Sequence, residues 1–262
     1  MPNPVLGRFD AAANGGRRGV SAGNMTAAQL EQMYAKPAYV PERYMTLDDV
    51  VVRTAAMLAV VFGVGAVTWS LGPTSTSAGG LIGIGLIGGL AFGLYMSFSM
   101  RANAFTALAY SAFEGLLLGG VSRAFEARYP GVVVQALAGT AMVAAGMLFV
   151  YKTGAIRVTP RFTRIIIGAT FGVVGLMIVN LIASIFVDGG LGLRSGGPMA
   201  VVFSLLCIGL AAFNLVLDFD MIENGIRRGV DQKFAWFASF GLVVTLVWLY
   251  FEILRLLGYA RN

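Results

Sequence analysis

Three carboxylates, Asp218, Asp220 and Glu223, stand within six residues of one another where the sixth apolar stretch of this chain gives way to polar sequence. Ionisable groups beside hydrocarbon are costly, and those that a membrane protein keeps serve ion paths, proton relays or internal pairing. On a helix Asp218 points about 200° away from Asp220. Asp218 therefore shares a face with Asn214 and Ile222, whereas Asp220 lines up with Glu223 or Asn224 and then Arg227. An acid at a helix C-terminus also opposes the macrodipole, so a purely solvated pair explains this cluster poorly. Of the two aspartates, Asp220 is the stronger candidate for a buried functional role. Two further acids lie inside apolar stretches. Glu114 shares a stripe with Ser111, Gly115, Leu118, Gly119 and Ser122 that must face other helices; an ion-path carboxylate and a structural acid fit it equally. Glu252 stands three residues before Arg255, the spacing of a local ion pair at the membrane interface.

What is absent narrows the chemistry. The chain has no histidine, and its one cysteine, Cys207, lies inside the sixth stretch as a packing residue. No zinc site, haem ligand set, Cys–His nucleophile or disulfide can be assembled from it, and no cofactor is expected. A pH response near neutrality has to come from carboxylates perturbed by burial or by a like-charged neighbour. A bound or transported metal has to be a hard, oxygen-seeking cation such as Ca2+, with Asp220 and Asp218 as candidate ligands. No nucleophile–base arrangement is visible, so the chain is not expected to be an enzyme.

The elements that position these groups follow from composition. Apolar residues make up 57% of the 262 positions and charged residues 12%, with a mean hydropathy of +0.77. That mix belongs to a polytopic membrane protein. Seven apolar stretches, about 51–71, 79–100, 104–122, 131–151, 164–187, 199–219 and 234–257, each approach the ~20 residues that a helix needs to cross the hydrocarbon. They lack the alternation of a barrel, and helix satisfies their backbone groups, so the fold class is all-α with seven transmembrane helices. Residues 1–48 read as a largely disordered tail without a signal-peptide core, and 49–262 as the membrane domain. Thr26-Ala-Ala-Gln29 and Thr46-Leu-Asp-Asp49 have capping-box spacing, and the second should open the first span. Between them, Tyr34, Pro37, Tyr39, Pro41 and Tyr44 suit either an interfacial segment or a linker.

Fourteen of the nineteen Lys and Arg residues fall in the tail, at the start of span one, and in the loops after spans two, four and six. By the positive-inside rule the N-terminus is cytoplasmic and the C-terminus outside, in a cell membrane. The net charge of +6 is accounted for by anionic lipid and calls for no nucleic-acid partner. Glycines recur every fourth residue at Gly85, Gly89 and Gly93, at Gly115 and Gly119, and at Gly168 and Gly172, a spacing that lets helix backbones approach closely.

Met100-Arg101 after span two, Tyr110-Ser-Ala-Phe-Glu114-Gly115-Leu-Leu-Leu-Gly119 in span three, Phe219-Asp220 late in span six and the closing Leu254-Arg255-Leu-Leu together resemble the Bax inhibitor-1 family over nearly all of residues 50–258. The resemblance implies six helices around a central C-terminal seventh, and a Ca2+ leak controlled by pH through two aspartates, one late in span six and one in span seven. It places the first aspartate on Asp220 and a gating arginine on Arg101. The second has no counterpart, because Thr245 takes its position and span seven has no aspartate. A shared-proton pair then needs Asp218, Glu223, Glu114 or Glu252 as its partner.

Two functions of different class follow. One is a pH-sensitive Ca2+ leak in which these carboxylates attract the ion. The other is a non-conducting membrane regulator that binds cell-death or membrane-protease machinery through the N-terminal tail and basic loops. The expected partners are the lipid bilayer, Ca2+ and protons, with a protein on the tail and a second copy of the chain as further candidates.

Overall fold

Apolar runs of this length leave the backbone no partner but itself, and each becomes a helix. The computed structural model describes residues 43–71, 76–100, 102–187 and 189–261, the side chains of 76–78 excepted. The expected helix start at Thr26, the Tyr34–Pro41 segment and the gating candidate Arg101 lie outside the described residues. Seven helices follow in order: α1 (Leu47–Ser70), α2 (Thr76–Ser99), α3 (Ala104–Arg128), α4 (Val132–Lys152), α5 (Pro160–Phe186), α6 (Pro198–Arg227) and α7 (Phe234–Tyr259). All seven are long and apolar enough to cross a membrane.

Local chemistry sets their ends. Thr46 caps α1 in the expected box: its hydroxyl accepts from the Asp49 amide at 3.2 Å, and the Asp49 carboxylate accepts from the Thr46 amide at 3.1 Å. Asn103 and Thr106 form a second box on α3, and Thr159 caps α5 with Pro160 in the first turn. The expected end of span six at 219 is not an end. With no Pro to break it and Gly225 held in the helix, α6 runs two further turns to Arg227, and the chain turns at Gly229, whose φ of 62° suits a residue without a Cβ. Asp218 and Asp220 are thus interior helical residues, and the argument from the macrodipole does not apply to them.

α7 is the most buried helix, with α6, α1, α4 and α3 as its principal neighbours. α2 packs chiefly on α3, and α5 chiefly on α6. Around α7 the core gathers Met57 and Val61 of α1, Tyr110 of α3, Ala136 of α4, and Ala211 and Leu215 of α6.

The glycine spacing divides into two outcomes. Gly115 and Gly119 meet Gly65 of α1 backbone to backbone: a Cβ on Gly115 would lie 2.7 Å from the Val61 carbonyl oxygen, and one on Gly119 would strike the Gly65 carbonyl. Gly85 of α2 sits equally close to α3, where a Cβ would lie 2.7 Å from the Phe113 carbonyl oxygen. Gly168 and Gly172 face open space, so the close approach expected of α5 does not occur. That helix presents them outward, where spacing alone does not supply a partner.

The chain ahead of α1 is held by the α6–α7 loop. Tyr44 bridges Asp231, the Met45 amide donates to the Val230 carbonyl at 2.9 Å, and the Gln232 amide donates to the Arg43 carbonyl at 3.0 Å. Met45 is fully buried, and Arg53 stacks over Trp236 at 5.1 Å while donating to the Gln232 carbonyl. The packed unit therefore opens at Arg43, ahead of the boundary at 49 expected from sequence.

Overpacking a backbone contact costs about 1–3 kcal/mol. Gly119→Ala is expected to lower the unfolding temperature measurably in a thermal melt of the detergent-solubilised protein. Gly168→Ala, which fills open space, leaves it unchanged.

Candidate functional site

The buried face of α6 is drawn by Ala211, Leu215, Ile222 and Gly225. These stand seven and three residues before Asp218 and four and seven after it, so Asp218 is the acid that this face carries inward. It points at α7. The Thr245 hydroxyl lies 2.7 Å from Asp218 Oδ2 and 3.1 Å from the Gly241 carbonyl, one turn earlier on α7. A Cβ on Gly241 would come within 3.3 Å of the other carboxylate oxygen, so the missing side chain makes room for the acid. Asp218 has no ion-pair partner among the described residues.

Asp220 faces the other way. Its carboxylate accepts from Asn224 at 2.8 Å within α6, on a face that also carries Glu223 and Arg227. Glu223 is half exposed; it pairs with Arg227 at 3.4 Å and accepts from the Tyr151 hydroxyl of α4. Asp218 and Asp220 therefore point to different sides of α6 and share no partner. Among the described residues no three acidic or cysteine side chains gather as a metal site. The signal that turns Asp218 inward is in the sequence: small and aliphatic residues at helical spacing from 218, against Phe213, Glu223 and Arg227 around 220.

Glu114 lies at the α2–α3 contact. The Tyr110 hydroxyl donates to its Oε1 at 2.9 Å, and Gly89 of α2 leaves it space. Its second oxygen, Oε2, is buried with no hydrogen-bond partner among the described residues. The stripe of Ser111, Gly115, Leu118, Gly119 and Ser122 is buried as expected. The Tyr110 ring meets Phe240 of α7 edge-on at 5.0 Å.

Glu252 forms the local pair with Arg255 that its spacing suggested, and it does so as a buried side chain. It is 2% exposed, and its Oε1 takes both Arg255 at 3.0 Å and Arg194, from the α5–α6 loop, at 3.1 Å. Ser204 and Trp248 approach the same carboxylate. Sequence reasoning missed Arg194, since nothing local in a Gly-rich loop points to a partner 58 residues away. These five acids thus occupy four separate places: Asp218 between α6 and α7, Asp220 with Glu223 toward α4, Glu114 between α2 and α3, and Glu252 under the α5–α6 loop.

With seven apolar helices and this distribution of acids in view, the comparison with protein families is decisive: the Bax inhibitor 1 like family model matches residues 3–262. The chain belongs to the Bax inhibitor 1 like family. A comparison with curated protein sequences finds no match. In this Bax inhibitor 1 like chain, the residue standing where the resemblance calls for the span-seven aspartate, Thr245, does face an aspartate of span six. That aspartate is Asp218, one residue before the aromatic-Asp pair that suggested Asp220.

Removing one partner of a buried ion pair costs about 3–5 kcal/mol, and less where a second partner remains. Arg194→Ala, with Arg255 still in place, is therefore expected to destabilise the protein by about 2 kcal/mol. A denaturation curve of the solubilised protein measures it, and Arg194→Lys should recover part of the loss.

Proposed function

We propose that this protein is a pH-sensitive leak pathway for Ca2+ in the cell membrane, not an enzyme, and that Asp218 is the ion-attracting and proton-sensing group. The observation that supports this reading is a carboxylate turned into the helix bundle with a hydroxyl, and no cation among the described residues, as its partner. A charge so placed is relieved either by a proton or by a passing cation. Thr245 has one hydrogen to give. With Asp218 ionised, Thr245 donates to the carboxylate; with Asp218 protonated, the acid donates to Thr245, whose own hydrogen turns to the Gly241 carbonyl. Protonation thus changes both charge and bond direction at the α6–α7 contact without a second carboxylate. Asp220 and Glu223 then serve as acids at the end of the path, and Glu114 as an internal acid beside it. The N-terminus lies in the cytoplasm and the C-terminus outside.

In proteoliposomes, Asp218→Asn keeps the shape and removes the charge, and it is expected to lower Ca2+ flux on the order of tenfold, the equivalent of ~1.4 kcal/mol. It should also flatten the pH dependence, while Asp220→Asn does less. Wild-type flux no greater than that of empty liposomes would refute the leak and point to a non-conducting regulator. For topology, a reporter active only in the cytoplasm should be silent when fused after Asn262; activity there reverses the orientation.

A further inference from the structure

α1 and α4 both lean on α7 but make no substantial contact with each other. Three cavities follow the seam between them. The largest, about 670 Å³, is lined by Leu47, Val50, Val51 and Ala55 of α1, Leu148 of α4 and Leu242 of α7, among others. It shares Leu58 with the next cavity, which in turn shares Phe62 and Tyr250 with a third that ends at Trp69.

We infer that this seam is a binding site for one glycerophospholipid of the leaflet on the Lys152 side, with an acyl chain running from the large cavity along the seam, an ester carbonyl at Thr54 and the phosphate at Lys152. The dimensions fit. From Thr54 the groove runs past Leu58 through the two further cavities to Trp69, about 22 Å at ~1.5 Å per residue, room for an acyl chain that crosses the ~15 Å one leaflet contributes to the hydrocarbon core. The volume of the largest cavity lies within the ~300–1,000 Å³ of pockets that hold small ligands.

The polar groups are distributed as a lipid requires. At the mouth stand Tyr151, Lys152 and Glu223. Tyr151 and Glu223 are bonded to each other, and Glu223 is paired again with Arg227. Lys152 is exposed and forms no ion pair among the described residues, which leaves its ammonium for an anion. Deeper in the groove the Thr54 hydroxyl is buried without a hydrogen-bond partner among the described residues. Its usual acceptor one turn back, the Val50 carbonyl, receives the Ser239 hydroxyl of α7 at 3.1 Å. Water does not answer this donor, because a buried water needs two to four polar partners and the surrounding wall is aliphatic. A glycerol-ester carbonyl supplies one acceptor at the head of an apolar acyl chain. The site stands whether or not the chain conducts.

Native mass spectrometry of the protein extracted from membranes in mild detergent tests the site by counting retained phospholipids. The wild type is expected to keep one per chain. Ala55→Trp fills the groove and should remove it; Lys152→Ala should reduce the bound-to-free ratio about fivefold, the loss of ~1 kcal/mol that one lysine contributes near anionic lipid. Thr54→Val, of nearly the same shape, should also reduce it. Ile87→Trp on the lipid-facing side of α2, 71% exposed, should match the wild type. Equal retention in the wild type and all three groove variants, retention of detergent alone, or equal loss in Ile87→Trp would each overturn the inference.

Discussion

The polar side chains buried along α7 each find a partner on a different element. Ser239 donates to the Val50 carbonyl of α1, Thr245 meets Asp218 of α6, Tyr250 meets Ser122 of α3 at 2.6 Å, and Glu252 holds Arg194 of the α5–α6 loop. In lipid, where helices gain little from burying apolar surface against one another, such links and close packing carry association. Each hydrogen bond contributes only about 0.6 kcal/mol on average, so the links fix rotation and depth more than they supply stability. The greater share falls to backbone-close contacts such as Gly65 with Gly115 and Gly119, which fasten α1 to α3. α7 sets the register of the bundle, and the glycine contact sets its tightness.

This division explains what could be read in the sequence. Hydropathy and length locate all seven spans because every backbone group must be satisfied internally, and the Thr46–Asp49 box is legible because a cap is made by neighbours in sequence. The end of α6 is misread because Leu-Asp-Phe-Asp looks like an exit to water, whereas one of its acids is turned inward to Thr245. Glycine spacing marks a possible close approach without naming a partner, so it is right for α2 and α3 and wrong for α5. Arg194 is invisible for the opposite reason: its partner is named by the fold alone.

The two ends of the bundle are closed differently. At the end bearing Arg43 and Asp231, main-chain bonds join the segment before α1 to the α6–α7 loop, with the Arg53–Trp236 stack behind them. That ties the first helix to the turn between the last two, so a displacement of residues 43–46 is passed to α6 and α7 through backbone. At the end bearing Arg194, the tie is a side-chain ion pair reaching from a loop to α7. A main-chain bridge resists changes in charge, whereas an ion pair depends on them.

The contrast between Glu252 and Asp218 carries the functional argument furthest. Both are acids at the α6–α7 level of the bundle, yet Glu252 touches two guanidinium groups and Asp218 touches one hydroxyl. A carboxylate held by two cations is already compensated, and its charge belongs to the structure. A carboxylate held by a hydroxyl has its geometry fixed but its charge left open, since a hydroxyl serves either protonation state by reversing its hydrogen bond. Position alone would give both acids the same role. Their partners separate them: Glu252 is fastened between two guanidinium groups, and under the proposed function the exchange of a proton or a cation falls to Asp218.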